Sequence, residues 1–189
     1  MNKLPSTFIN MAMSLMCITL VAAAALAGVY LLTEAQIEQQ KREAQDAARV
    51  AVLAGHEDGV AIEAQADGFG GIIRLMVGFD SEGHILGYEV LEQSETPGLG
   101  THIVEWFKNA DKPGQNIIGR EATGQFRVSK DGGDVDAITA ATISSRAFLA
   151  AINDAYVQFK AQQGEQVEAW TGASTIVNDS IVKTEVNHE

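Results

Sequence analysis

Thr142 closes the stretch DAITAAT, residues 136–142, just before a run in which apolar residues recur at helical spacing. A threonine at a helix start meets backbone N–H groups that have no partner inside the helix, and those groups together with the helix dipole favour an anion. A phosphate esterified to the Thr142 hydroxyl is stabilised in that setting, and the small side chains of Ala140 and Ala141 leave its approach open. The plainer chemistry is capping, in which a Thr or Ser at the first turn satisfies one orphan donor, stabilises by about 1 kcal/mol and needs no cofactor. Capping does not account for Asp136, six residues upstream.

A second candidate is Glu95-Thr96-Pro97-Gly98-Leu99-Gly100. Proline fixes φ for the second position of a turn and glycine accepts φ > 0 at the third, which predicts a tight type II turn whose backbone can approach a ligand. Other chemistries lack their residues. His56, His84, His102 and His188 never pair at the spacing zinc uses, and there is no C-x-x-C. No G-x-G-x-x-G follows a strand, no Walker lysine follows a glycine loop, and G-x-S-x-G is absent. Gly68-Phe69-Gly70-Gly71 fits neither phosphate loop and reads as the entry to a strand. Asn178-Asp179-Ser180 matches a glycosylation sequon, too permissive a pattern to carry a function.

The elements that must hold these residues follow from periodicity. Residues 60–66 alternate apolar and polar, and IIRLMVGFD puts Ile73, Leu75, Val77 and Phe79 on one strand face. Asp80-Ser81-Glu82-Gly83 makes a turn, and HILGYEVLEQ reads as the returning strand of a hairpin. THIVEWFKNA predicts a helix with Ile103, Val104 and Phe107 on one face, and residues 125–129, QFRVS, a short strand before the turn Asp131-Gly132-Gly133. Phe148, Ala151, Ile152, Ala155 and Phe159 predict a helix from about Ile143 to about Gln162. Strands, helix, strand and helix without regular βαβ alternation favour an α+β fold with an antiparallel sheet and packed helices.

From Phe8 to Leu32 no side chain is charged, and at about 1.5 Å per residue this stretch exceeds the ~30 Å of a hydrocarbon core. Ala25-Leu26-Ala27 resembles a cleavage site, but the apolar run is longer than the roughly 7–15 residues of a signal peptide, so a retained transmembrane anchor is expected. Lys3 on one side and Lys41 and Arg42 on the other leave the orientation open. All 25 acidic residues and 12 of the 13 basic ones follow the span. That strongly acidic surface repels phosphate backbones and argues against nucleic acid. Cys17 lies in the span, so no disulfide framework is available. The expected organisation is an anchor over 1–33, a helical stalk over 34–55 whose Ala48–Leu53 end packs on the domain, a domain over 56–162 and a polar tail over 163–189.

Asp-x-x-Thr-Ala-Ala-Thr, as Asp136, Thr139, Ala140, Ala141 and Thr142, resembles the flavinylation motif of the FMN-binding domain family. Ala140 stands where that family commonly has glycine. Residues 70–100, GGIIRLMVGFDSEGHILGYEVLEQSETPGLG, resemble the family's hairpin and loop. Together with the anchor and the order of the pieces, they make the chain similar to the G subunits of Rnf-type complexes, membrane assemblies that pass electrons between ferredoxin and NAD while moving ions. The resemblance implies covalent FMN on Thr142 through a phosphoester, installed by a separate flavin transferase that uses FAD and magnesium and recognises Asp136. It also implies a flavin site that takes in Glu95, Thr96, Gly98, Leu99, Gly100 and Ser144. Further implications are other membrane subunits as partners, an electron-relay role in a translocase, and a single pass through a bacterial inner membrane with the domain on the periplasmic side. The C subunit of the sodium-translocating NADH:quinone oxidoreductase shares the domain but is typically longer. A non-redox tethered adaptor, with TAATISS merely capping a helix, is the alternative of another class. Glu168-Ala169-Trp170-Thr171-Gly172-Ala173-Ser174 partly echoes the motif, with Glu for Asp and Ser for the last Thr, and reads as coincidence.

Overall fold

The computed structural model describes residues 8–53, 55–165 and 167. The motif echo at 168–174, the sequon at 178–180, His188, Lys3 and nearly all of the expected tail lie outside the described residues. Two compact units divide the chain, Met1–Ala44 and Gln45–Glu189.

Helix α1 (Phe8–Leu53) begins in the first unit, where Leu15, Ile18, Leu20, Val21 and Leu31 are exposed. It is long and apolar enough to cross a membrane. An apolar surface on every side of one helix costs free energy in water and none in hydrocarbon, which fits a single-pass anchor. Residues 34–44 are exposed and polar, with Arg42 paired to Glu38 at 3.3 Å and Gln39 Nε2 donating to Glu43 Oε1 at 2.8 Å. Such i,i+4 pairs support a solvated helix by a few tenths of a kcal/mol.

The second unit is built on a three-stranded antiparallel sheet in the order β1-β2-β3, with β1 Val60–Asp67, β2 Ile72–Phe79 and β3 Ile85–Glu92. Ile73, Leu75, Val77 and Phe79 of β2 all face one core, as their alternation predicts, with Ile62 and Ala64 of β1 beside them. The opposite face of β2 is covered too: Met76 packs on Ala48 and Val52 at the end of α1. The β2–β3 turn forms where expected. Asp80 Oδ1 accepts N–H bonds from Glu82 at 2.9 Å and His84 at 2.8 Å.

Helix α3 (Thr142–Gln162) lies on the inner face of the sheet. Its stripe of Phe148, Ala151, Ile152, Ala155 and Phe159 is buried. Phe148 stacks on Phe107 at 4.5 Å between ring centres and meets Tyr88 edge-on at 4.8 Å, while Phe159 stacks on Phe79 at 5.1 Å. An aromatic side chain removed from water in this way contributes roughly 1.5–3 kcal/mol.

Two predicted elements differ. The helix expected over THIVEWFKNA is a 3-10 turn, Gly100–His102, running into a four-residue α2, Ile103–Trp106. The buried Tyr88 hydroxyl donates to the Ile103 carbonyl at 2.9 Å, and Lys108 N–H closes back onto Glu105 rather than continuing the α ladder. Ile103 and Phe107 are buried as expected, whereas Val104 turns outward. Burial pushes the Tyr88 hydroxyl pKa well up, so it remains a donor. Residues 125–129 form no strand. Both backbone groups of Phe126 are taken by the buried Asn153 amide, whose Oδ1 accepts from Phe126 N–H at 2.9 Å and whose Nδ2 donates to its carbonyl at 3.0 Å. A side chain from α3 replaces the neighbouring strand, and only an isolated bridge joins Val128 to Val135.

Candidate functional site

The helix begins one residue earlier than periodicity suggests, and this decides what the Thr142 hydroxyl is doing. Ala141 occupies the N-cap, and no side chain caps the first turn. Thr142 is therefore the first helical residue. Its Oγ1 accepts a hydrogen bond from Lys130 Nζ at 3.2 Å instead of satisfying an orphan amide. The capping reading of Thr142 does not hold. The open first turn is held from below by Ser145, whose Oγ accepts from Ile138 N–H at 3.0 Å and donates to the Ala141 carbonyl at 2.9 Å.

Lys130 sits in a 3-10 turn, Ser129–Asp131, each of whose residues reaches a different part of the motif and helix. Ser129 Oγ lies 3.0 Å from Asp136 Oδ1. Asp131 takes a bidentate grip from Arg146, one turn past Thr142, at 2.7 Å from Nε and 2.6 Å from the terminal nitrogen. The hydrogen bonds from Arg146 hold the Asp131 carboxyl below its ordinary range and raise the guanidinium in turn. A fork-to-fork pair of this kind fixes direction as well as distance, so the turn and the lysine between its two anchors are set against the helix start.

Asp136 makes no hydrogen bond to Thr142. Its backbone N–H donates to Gly114 O at 2.6 Å, and its carbonyl accepts from Trp106 Nε1 at 2.8 Å. Asp136, Lys130 and Thr139 line a cleft of about 420 Å³ with Trp106 and Lys112. Thr139 and Ala140 are exposed, Ala141 is buried and Thr142 is half-buried. Ala140 adopts φ 61, alone in the left-handed region among the described non-glycine residues.

The second stretch reaches the same helix start from the other side. Ser144 Oγ donates to Glu95 Oε2 at 2.5 Å, and Gly70 N–H donates to Glu95 Oε1 at 3.1 Å. Both Ser144 and Glu95 are buried. A Cβ on Gly100 would lie 2.6 Å from Glu95 Oε2 and 2.7 Å from Ser144 Oγ, so only glycine permits this approach. Gly98, at φ 74, sits third in the turn that Leu99 N–H closes onto Thr96 O at 3.1 Å, the geometry that type II requires. Thr96, Gly98 and Leu99 are exposed.

The two sequence stretches thus meet at the first turn of α3 through Glu95 and Ser144. Periodicity and motif spacing missed the turn Ser129–Asp131, its anchor Arg146 and the role of Gly70. The available signal was a lysine and an aspartate ahead of Gly132-Gly133, with an arginine four residues after Thr142.

Residues 68–157 match the family model described as FMN-binding domain, and residues 1–52 match the one described as RnfG N-terminal region. Curated relatives are named as the G subunit of an ion-translocating oxidoreductase complex. The relative from Shewanella oneidensis is 39% identical over 123 residues, 62% of this chain and 57% of that protein. The one from Vibrio atlanticus is 36% identical over 146 residues, 72% and 66% of the two chains. The one from Salmonella typhi is 46% identical over 99 residues, 50% and 47%. The chain spans about half to two thirds of the length of these relatives.

Proposed function

This chain belongs to the FMN-binding domain family, and we propose that it is a membrane-anchored flavoprotein subunit carrying FMN as a phosphoester on Thr142 and relaying electrons in an Rnf-type complex. The complex would couple ferredoxin:NAD oxidoreduction to ion transport. The match of residues 1–52 to the RnfG amino-terminal region favours this over the quinone-reducing relative's C subunit. On this reading residues 1–33 anchor the chain, 34–55 form the stalk, 56–162 bind the flavin on the periplasmic side, and other membrane subunits of the complex are its partners.

The observation that carries the proposal is the state of the Thr142 hydroxyl. It is half-buried at an uncapped helix start, and among the described residues its one hydrogen-bond partner is the Lys130 ammonium rather than a backbone donor. The residues present fit a phosphate-linked group. The first-turn amides and the helix dipole favour the single negative charge of a phosphodiester, and Ala140 and Ala141 place no bulk in front of the oxygen. When bound, FMN supplies electron transfer through its ring system, with the protein contributing position and electrostatics. Glu95 and Ser144 lock the loop 95–100 to the helix that bears Thr142, so that loop and attachment point share one rigid frame. Covalent attachment keeps the redox group at high effective concentration. Among the described residues no base lies within hydrogen-bond reach of Thr142 Oγ1, in keeping with a separate flavin transferase that supplies the base and reads Asp136.

The test is in-gel fluorescence of the denatured full chain after production with a flavin transferase, together with its intact mass. The wild type should fluoresce and carry one FMN less one water. Thr142→Ala should be dark, and Thr139→Ala should still fluoresce. A dark wild-type band of unmodified mass rejects covalent flavin, and a fluorescent Thr142→Ala band rejects the attachment residue.

A further inference from the structure

Lys130 has no place in the family motif and none in the hydrophobic periodicity, yet its ammonium is the group that touches Thr142 Oγ1, at 3.2 Å. The geometry points to Lys130 as the phosphate-receiving cation of the domain, a residue that prepares Thr142 for attachment and holds the phosphodiester afterwards. This rests on Thr142 being the attachment residue.

Three observations support it. First, among the described residues the Lys130 ammonium forms no ion pair with a carboxylate, although the chain is strongly acidic and Asp131 is its sequence neighbour. Asp131 is withheld by Arg146, which occupies both of its oxygens at 2.6 and 2.7 Å. The ion pair therefore does more than brace a turn: with both Asp131 oxygens taken by Arg146, that carboxylate acts on Lys130 only at longer range, and the lysine's hydrogen bond goes to Thr142 Oγ1. Second, an ammonium has three donors and Thr142 Oγ1 uses one, leaving two for phosphoryl oxygens. Third, Lys130 lines the 420 Å³ cleft with Lys112 and Asp136, and the same ammonium reaches Thr142 Oγ1.

The chemistry balances as a transfer. Thr142 Oγ1 bonds to the phosphorus on the FMN side of FAD, the pyrophosphate P–O bond breaks, AMP leaves, and the hydroxyl proton passes to the transferase's base. A cation 3.2 Å from the oxygen favours its deprotonated form and offsets the charge that gathers on the phosphoryl oxygens. Without it, an anionic dinucleotide would approach an acidic domain with no cation in contact with the attacking oxygen.

The experiment follows the initial rate of flavin incorporation into the full apo chain in detergent, with purified flavin transferase, FAD and magnesium, for wild type, Lys130→Met and Lys130→Arg. Thermal melting is recorded for each. Lys130→Met should lower the rate by about tenfold or more while melting within a degree or so of wild type, since its side chain is exposed, and Lys130→Arg should retain most of the rate. Raising the salt concentration should slow wild type more than Lys130→Met. Equal rates for Lys130→Met and wild type overturn the proposal, as does an arginine variant as slow as the methionine one, which would mean that shape rather than charge matters. If wild type itself takes up no flavin, the attachment reading fails and this inference falls with it.

Discussion

Ser144 and Glu95, 49 residues apart in sequence, share a buried hydrogen bond of 2.5 Å that joins the start of α3 to the loop 95–100. Buried polar oxygens need hydrogen-bond partners, and here each Glu95 oxygen has one, the Ser144 hydroxyl on Oε2 and the Gly70 N–H on Oε1. Ser144→Ala leaves Glu95 Oε2 without this partner and should cost about 1–3 kcal/mol of unfolding free energy in urea. A loss as small as that of an exposed serine would mean that the carboxylate is solvated and that the two stretches are not tied together here.

The ion pair of Asp131 and Arg146 gives stability a specific pH dependence. The native carboxyl, held low by the arginine's hydrogen bonds, binds its proton less readily than it does in the unfolded chain. Its contribution is complete above the ordinary carboxylate range near ~4, and it drains away as pH falls through the lower native value. Asp131→Asn should therefore melt a few degrees below wild type at neutral pH, with the gap closing under acid conditions. Because the pair is partly exposed, the effect stays modest. A gap that widens on acidification contradicts the assignment.

Asn153 is the pin of the irregular segment around Phe126. Asn153→Leu removes both the acceptor for Phe126 N–H and the donor to its carbonyl, stranding two backbone groups in the core. The expected cost is roughly 2–4 kcal/mol, well above that of a typical helix-surface substitution. Amide exchange at Phe126 should accelerate in parallel. Unchanged protection there would show that the segment is held by its apolar contacts alone.

These residues also mark where sequence was and was not legible. Ile73, Leu75, Val77 and Phe79 repeat every second position, and Phe148, Ala151, Ile152, Ala155 and Phe159 repeat at helical spacing, so burial wrote its period directly into the chain and the α+β class followed. Asn153 lies on the same buried helix face but has the polarity of a solvent residue, and its partner is backbone, which has no sequence signature. QFRVS for that reason reads as a strand. At the site, the motif and the turn residues marked Thr142 and Gly98. The N-cap at Ala141, the lysine on Thr142 and the arginine that diverts Asp131 depend on where an irregular loop closes, which no local period encodes.

Ala140 offers the sharpest single test of the local backbone. It holds φ 61 just before the helix, a conformation that costs an L-residue with a Cβ about 1–2 kcal/mol and glycine almost nothing. A glycine would therefore fit this position without strain. Glycine also frees the unfolded chain, which takes back roughly 0.4–1 kcal/mol. Ala140→Gly should thus stabilise the domain by about 0.5–1 kcal/mol, while Ala141→Gly, at a φ of −131, should not. Since Ala140 is exposed, no lost packing offsets the gain. A destabilised Ala140→Gly variant would mean that residue 140 sits in the ordinary helical or extended region, and that the turn presenting Thr142 is built differently.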